Sequence, residues 1–249
     1  MKGSIISTKR DFNYDLLKSF AIIVMIIDHI GAFLMPDQEM LRIIGRAAAP
    51  VFCFLIAFSN SKKIDFSLLT LGVSIVTIDF ILFGKFSPNI LITLFALRYL
   101  NSALANKDFK ITLYDSIPFA FLVFILFPIL QMLEYSSAAL IPYLLGHVVR
   151  LNHKHKHYLM IILGALYFLF LNTLAGITAY PLFLSGYIIT TFIIMATIEP
   201  AYYPTKIGPH KWCVYYLGKY ALQIYFIHLA LFKLTAFYIS EYGHLLPLD

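Results

Sequence analysis

The sequence has few charged residues and few of the motifs that soluble enzymes use. Only 13% of its 249 residues are charged, 60% are apolar, and the mean hydropathy is +0.81. These values exclude an ordinary soluble domain and predict one integral membrane domain over residues 1–249. Two cysteines, Cys53 and Cys213, give neither a disulfide framework nor a metal-binding spacing. A Gly-rich phosphate loop, a nucleophile elbow and a metalloprotease motif are also lacking.

Long apolar segments fill most of the chain. About 20 apolar residues cross a bilayer as a helix, with a range of about 17 to 25. Nine segments approach or meet this length, and a tenth, half-length piece covers 212–218. The sequence therefore predicts an all-α, polytopic transmembrane helix bundle of about nine to ten spans. The nine segments are 15–35, 40–58, 66–84, 88–105, 115–133, 136–151, 157–176, 181–198 and 219–240.

The loops between these segments predict the orientation of the chain. Cytoplasmic loops carry an excess of Lys and Arg, and most of the 19 cations fall in alternate loops that share a side with the N-terminus. We therefore expect the N-terminus in the cytoplasm. The net charge of +6 is then a topology signal, which argues against a nucleic-acid partner. The first apolar run lacks a small-residue cleavage site, so we expect a retained span and not a signal peptide.

An Asp-His pair, Asp28-His29, interrupts the first apolar run. Ionisable residues are costly inside lipid and usually functional there. A carboxylate beside an imidazole can hold and transfer a proton, so the pair is the first candidate for chemistry. Lys18 lies eleven residues before His29, three turns plus about 20°, and so shares its helix face. Asp28 points about 100° away. The alternative is a hydrogen-bonded pair that only packs helices.

Two arginines open the second apolar segment. Arg42 and Arg46 are four residues apart and share a helix face, and the small residues 47–49 follow. Arg46 lies about six residues into the segment, roughly 9 Å deep, which is the depth of His29. We therefore expect both arginines and the Asp-His pair to face one cavity that opens outward. The alternatives are that Arg42 extends to the interface and that Arg46 pairs structurally with Asp28.

Further polar residues occur in the last span and in one loop. Tyr225 and His228 are i, i+3 neighbours near the middle of the last span, where a lone histidine is also compatible with a core role. The loop Asn152–His157 alternates histidines and lysines and fits a solvated loop better than a metal site, so no metal is predicted. Asp79, Arg98 and Asn101 are buried polar residues without assigned partners.

These segments, in this order, resemble the TraX family of membrane acetyltransferases. The matching pieces are Asp28-His29, Gly45-Arg46 with 49–52, and 224–230 in the last span. The resemblance covers essentially the whole chain. The chain also resembles the wider superfamily of transmembrane acyltransferases, which includes bacterial O-acyltransferases of surface sugars and the lysosomal heparan N-acetyltransferase.

The resemblance implies a function and a site. It implies acetyl-CoA as the cytosolic donor and His29 as the catalytic histidine, with Arg46 and Arg42 binding the cofactor or stabilising the developing charge. We expect His29 to act as a general base with Asp28 as its orienting partner, in a bacterial cytoplasmic (inner) membrane. The family's founding member acetylates the N-terminus of a conjugative pilin. The acceptor is therefore expected to be an amine or hydroxyl of a pilin-like protein or a surface glycan. The cofactor-binding set is Arg46, Arg42, Lys18, Tyr225 and His228. We expect membrane lipid to surround the chain, and the sequence leaves open whether the protein forms a homo-oligomer.

Two other classes of function are compatible with the residues. Intramembrane Asp, His and Arg are also typical of proton relays, so a proton-coupled transporter is the principal alternative. Transporters often show internal repeats and matched breaks in their helices, and the sequence shows neither. A non-catalytic assembly partner that retains the fold is a third interpretation.

Overall fold

The computed structural model describes residues 11–59, 61, 63–104, 125–126, 135–151, 156–175, 181–199 and 209–242. These residues confirm the all-α prediction, with no strand among them. The α-helices are α1 (Phe12–Phe33), α2 (Glu39–Gly45), α3 (Ala48–Phe58), α4 (Phe66–Phe83), α5 (Ile90–Leu104), α6 (Leu140–Arg150), α7 (Lys156–Ala175), α8 (Pro181–Thr197), α9 (Pro209–Lys219) and α10 (Ala221–Tyr242). A 3-10 turn, Ser136–Ala139, precedes α6.

The protein is a membrane protein, and the part of the chain that the structure describes holds fewer full-length spans than the sequence predicted. Four helical segments of the described part are long and apolar enough to cross a bilayer: Phe12–Phe33, Glu39–Phe58, Phe66–Phe83 and Ala221–Glu241. Three shorter apolar helices are Ile90–Ala103, Tyr158–Tyr167 and Phe183–Thr197. The predicted sixth span is short because the 3-10 turn takes its first residues. The predicted fifth span, 115–133, and the N-terminal residues used for the orientation lie mostly or wholly outside the described residues.

Local sequence sets the ends of the long helices. The Asp11 side chain caps α1 by accepting hydrogen bonds from the backbone N–H groups of Asn13 (2.9 Å) and Tyr14 (3.2 Å). The Asp65 side chain caps α4 through Ser67 N–H at 3.0 Å. The helix α4 ends at Gly84, whose φ of 64° is left-handed and favours glycine. Polar caps therefore fix where the apolar segments start.

The second span is broken between α2 and α3, at Arg46 and Ala47. Pro50 explains the break, because proline has no backbone N–H to donate to the carbonyl of Arg46 four residues earlier. The three alanines around the break are almost fully buried, as the small residues predicted. The break places the arginine-bearing α2 beside the end of α1.

The helix α1 lies at the centre of the site-forming part of the bundle. It packs against α2, α3, α9 and α10, and α4 packs against α5 and α10. The helix α3 packs most extensively against α6, where the Gly146 Cα lies so close to the Phe54 carbonyl that a Cβ would overlap it. Large apolar side chains point away from the bundle, among them Ile81 of α4 at 73% exposure and Leu231 of α10 at 57%. Such faces fit the acyl chains of a bilayer.

Candidate functional site

The closest polar contact of His29 is with a second histidine. His29 Nδ1 lies 2.8 Å from His228 Nε2, which joins the end of α1 to the middle of α10. The two rings are nearly parallel, with centroids 5.0 Å apart. Tyr225 and Phe33 pack edge-on against the His29 ring at 6.1 and 6.0 Å. The sequence assigned both histidines to the site but did not predict that they bond to each other.

The hydrogen bonds fix the tautomers of the neutral histidine pair. His228 Nδ1 lies 2.6 Å from the carbonyl oxygen of Ile224, which only accepts, so His228 carries its proton on Nδ1. Its Nε2 is then an acceptor, and His29 Nδ1 donates to it. The remaining nitrogen of His29, Nε2, keeps its lone pair. A backbone carbonyl, acting through His228, therefore leaves Nε2 of His29 able to accept a proton.

The sequence predicted that Asp28 orients His29, but the Asp28 side chain is paired with Arg42 instead. Its carboxylate accepts a hydrogen bond from Arg42 Nη1 at 2.5 Å, and the same nitrogen lies 3.1 Å from the Asp28 carbonyl oxygen. The reason is that adjacent residues point about 100° apart on a helix, so Asp28 faces α2 while His29 faces α10. Gly45 permits this approach, since a Cβ there would overlap Asp28. Arg42 is thus paired and does not extend freely to the interface.

Arg46 lies apart from His29, although the sequence places the two at one depth. Arg46 interacts electrostatically with Asp28 and hydrogen-bonds Tyr135. It is not among the residues that line the cavity at His29, whereas Arg42 is. Of the two arginines, only Arg42 lines this cavity. The expectation that both arginines share one cavity with His29 is met by Arg42 alone.

A second intramembrane ion pair lies near the histidines. Lys233 Nζ is 2.5 Å from Asp79 Oδ1, joining α10 to α4, and both side chains are mostly buried. The ammonium also lies 5.4 Å from the centre of the Phe33 ring. The sequence left both residues unassigned. Their opposite charges, each inside a long apolar segment, were the signal that could have paired them.

These groups surround a cavity of about 500 Å³, which we call the histidine cavity. Its wall includes His29, both residues of the Asp28–Arg42 pair and both residues of the Asp79–Lys233 pair. The start of α5 closes one side, where Asn89 caps the helix. The helix α10 contributes Tyr225, Leu229 and Lys233 to the wall, because residues spaced by four lie on one face of a helix. The cavity therefore presents an imidazole together with two paired cations.

A second cavity of about 600 Å³, the basic cavity, lies toward the N-terminal end of α1. Three cations line it: Lys18, Arg98 and Lys219. Its other walls are largely apolar. Lys18, which the sequence placed on the His29 face, thus reaches a different cavity and lies 4.5 Å over the Tyr14 ring. Tyr225 is the one residue common to the linings of both cavities in the described part of the chain.

The fold and the site define a helical membrane protein with a partly buried histidine pair between its first and last long apolar helices. The chain belongs to the TraX family, since the family model described as TraX protein matches residues 13–235. A protein of Rickettsia prowazekii (strain Madrid E), described as uncharacterized protein RP591, is 41% identical over 92 residues. That match spans 36% of this chain and 37% of the relative. No solved structure matches the chain significantly.

Proposed function

We propose that the protein is a membrane-embedded acetyltransferase that moves an acetyl group from acetyl-CoA to an amine or hydroxyl. The observation that carries the proposal is the chain of hydrogen bonds from the Ile224 carbonyl through His228 to His29. This chain leaves His29 Nε2 unprotonated beside a cavity. Family membership points in the same direction through the activity that the resemblance implies.

The two cavities suit two different substrates. The basic cavity offers cations for the phosphates of a CoA molecule and apolar walls for its extended arm. The more polar histidine cavity offers space for an acceptor beside the base. Because Tyr225 lines both cavities, a thioester held near this ring can meet an acceptor held near His29. With the N-terminus in the cytoplasm, the donor enters from the cytosol and the acceptor from the other side.

Direct transfer requires one base and no covalent acetyl-enzyme intermediate. His29 Nε2 takes the proton from the acceptor nitrogen or oxygen as that atom attacks the thioester carbonyl. The carbonyl π electrons move to oxygen and give a tetrahedral oxyanion. When the carbonyl re-forms, the carbon–sulfur bond breaks, and the leaving thiolate takes the proton from His29. General base catalysis of this kind contributes about 10²–10⁴-fold to a rate.

The acceptor belongs to one of the two classes that the family resemblance implies. These are the N-terminus of a pilin-like protein and the hydroxyl of a surface glycan. Both would reach the histidine cavity from the side opposite to the cytosol, which fits a location in the bacterial cytoplasmic (inner) membrane. A homo-oligomer is compatible with the proposal but is not required by it, because the histidine pair and both cavities are formed within one chain.

The experiment uses the full chain purified in lipid nanodiscs. Saturable binding of acetyl-CoA is measured by calorimetry, and thioester loss by release of free thiol in the presence of simple amines or sugars. We expect binding together with thiol release that depends on the acceptor. Proton uptake into liposomes without acetyl-CoA binding would overturn the proposal and favour the proton-coupled transporter.

A further inference from the structure

We propose that Lys233, held in place by Asp79, stabilises the negative charge that develops on the thioester oxygen during acetyl transfer. This inference rests on the proposed function and assigns a catalytic role to a residue that the sequence had left without one. It starts from a requirement of the chemistry. Acyl transfer passes through an oxyanion, and enzymes hold hydrogen-bond donors or cations in advance where this charge appears.

The location of Lys233 meets that requirement. It lines the histidine cavity on the same face of α10 as Tyr225, the residue that lines both cavities. Its ammonium lies 5.4 Å from the centre of the Phe33 ring, and the His29 ring packs against the same phenyl ring at 6.0 Å. Base and cation therefore lie on the wall of one cavity, close to a shared aromatic side chain.

The other cations near His29 are less suited to the task. Arg46 does not line the histidine cavity. Arg42 lines it, but it belongs to α2, where it is paired with Asp28, and not to the face of α10 that carries Tyr225. Lys233 forms a single ion pair, with Asp79, and an ammonium has three donors. Donors of Lys233 therefore stay available for a substrate oxygen.

The energetics also argue against a purely structural pair. A charged side chain is costly inside a membrane helix. Replacing both members of a buried ion pair by apolar residues is often neutral or stabilising. An apolar contact between α4 and α10 would hold these helices together at least as well. The pair is therefore better explained by the chemistry in the cavity than by packing.

The test compares the double variant Asp79→Leu/Lys233→Met with the wild type and with Lys85→Met. Lys85 is an exposed cation just after α4 and is not among the residues of the cavity wall. The double variant leaves no unpaired charge, so it tests the cation without the misfolding that a lone buried Asp79 invites. We expect its apparent Tm to equal or exceed that of the wild type. We expect kcat to fall by about 10²–10³-fold, with KM for acetyl-CoA unchanged. Lys85→Met should behave as the wild type.

The outcomes separate this inference from the proposed function. If the wild type transfers acetyl groups and the folded double variant keeps its kcat, Lys233 has no catalytic role and the proposed function stands. The same conclusion follows if only the KM for the acceptor changes. If the double variant does not fold, the pair is structural and the inference is wrong. If the wild type transfers nothing, both proposals fail together.

Discussion

The Nδ1 atom of His29 lies 2.8 Å from the Nε2 atom of His228, across the interface between the first and last long apolar helices. His228 is therefore the partner of His29, a role that the sequence analysis had given to Asp28. Because His228 is itself fixed by the Ile224 carbonyl at 2.6 Å, the proton arrangement of the pair depends on backbone geometry and not on a carboxylate. Four predictions concern His228, Asp28, Gly45 and the two lysines of the basic cavity.

Replacing His228 should impair catalysis through the tautomer of His29. His228→Gln keeps an oxygen near the position of Nε2 that can accept from His29, whereas the shorter His228→Asn does not reach it. We expect His228→Asn to lower kcat by about 10²-fold, because His29 then loses the bond that leaves its Nε2 free. His228→Gln should retain most of the activity. The measurement is kcat as a function of pH for both variants. Equal losses with unchanged pH profiles would indicate a packing role.

Asp28→Asn should lower stability more than it lowers catalysis per folded molecule. The substitution leaves two partly buried cations, Arg42 and Arg46, without the negative charge of Asp28. Removing one partner of a buried pair typically costs about 3–5 kcal/mol, and the partial exposure of Arg42 favours the lower end. The measurement is the apparent Tm in detergent, with Asp37→Asn in the exposed turn after α1 as the control. An unchanged Tm with abolished activity would return Asp28 to a catalytic role.

Gly45→Ala should separate α1 from α2. A Cβ at Gly45 would overlap the side chain of Asp28, so the backbone must move to admit it. Overpacking of this kind costs about 1–3 kcal/mol. The matched control is Gly186→Ala in α8, where an added Cβ meets nothing within 4 Å. Thermal unfolding of both variants decides the matter, since equal Tm values for the two would contradict the close contact.

Substitutions in the basic cavity should weaken donor binding without changing the chemical step. Lys18 and Lys219 line this cavity away from His29, so their interactions with donor phosphates are the same in the ground and transition states. We expect Lys219→Met and Lys18→Met to raise the Kd for acetyl-CoA and leave kcat unchanged. The control is Lys63→Met, an exposed cation outside the cavity lining. Equal affinity for all variants would place the donor elsewhere.

The sequence predicted the class of fold, and it pointed to several of the polar residues of the candidate site, but it did not predict how they pair. Intramembrane ionisable residues are conspicuous in an apolar sequence, so His29, Arg42 and His228 could be selected from the chain alone. Which of them touch depends on the relative rotation of helices far apart in sequence, as for His29 and His228, whose positions differ by 199. The adjacency of Asp28 and His29 suggested a contact that helix geometry prevents. Predicting the break at Arg46 required linking Pro50 to the carbonyl four residues before it.

The most direct test of the account is single-turnover acetyl transfer by the His29→Gln variant in nanodiscs. The matched control is His147→Gln, since His147 is a buried histidine that lines neither cavity and contacts Arg150 at 2.9 Å. We predict that His29→Gln binds acetyl-CoA with the affinity of the wild type but transfers at least about 10²-fold more slowly, because it lacks the base. His147→Gln should transfer at the wild-type rate. A folded His29→Gln variant that transfers as fast as the wild type would contradict the account.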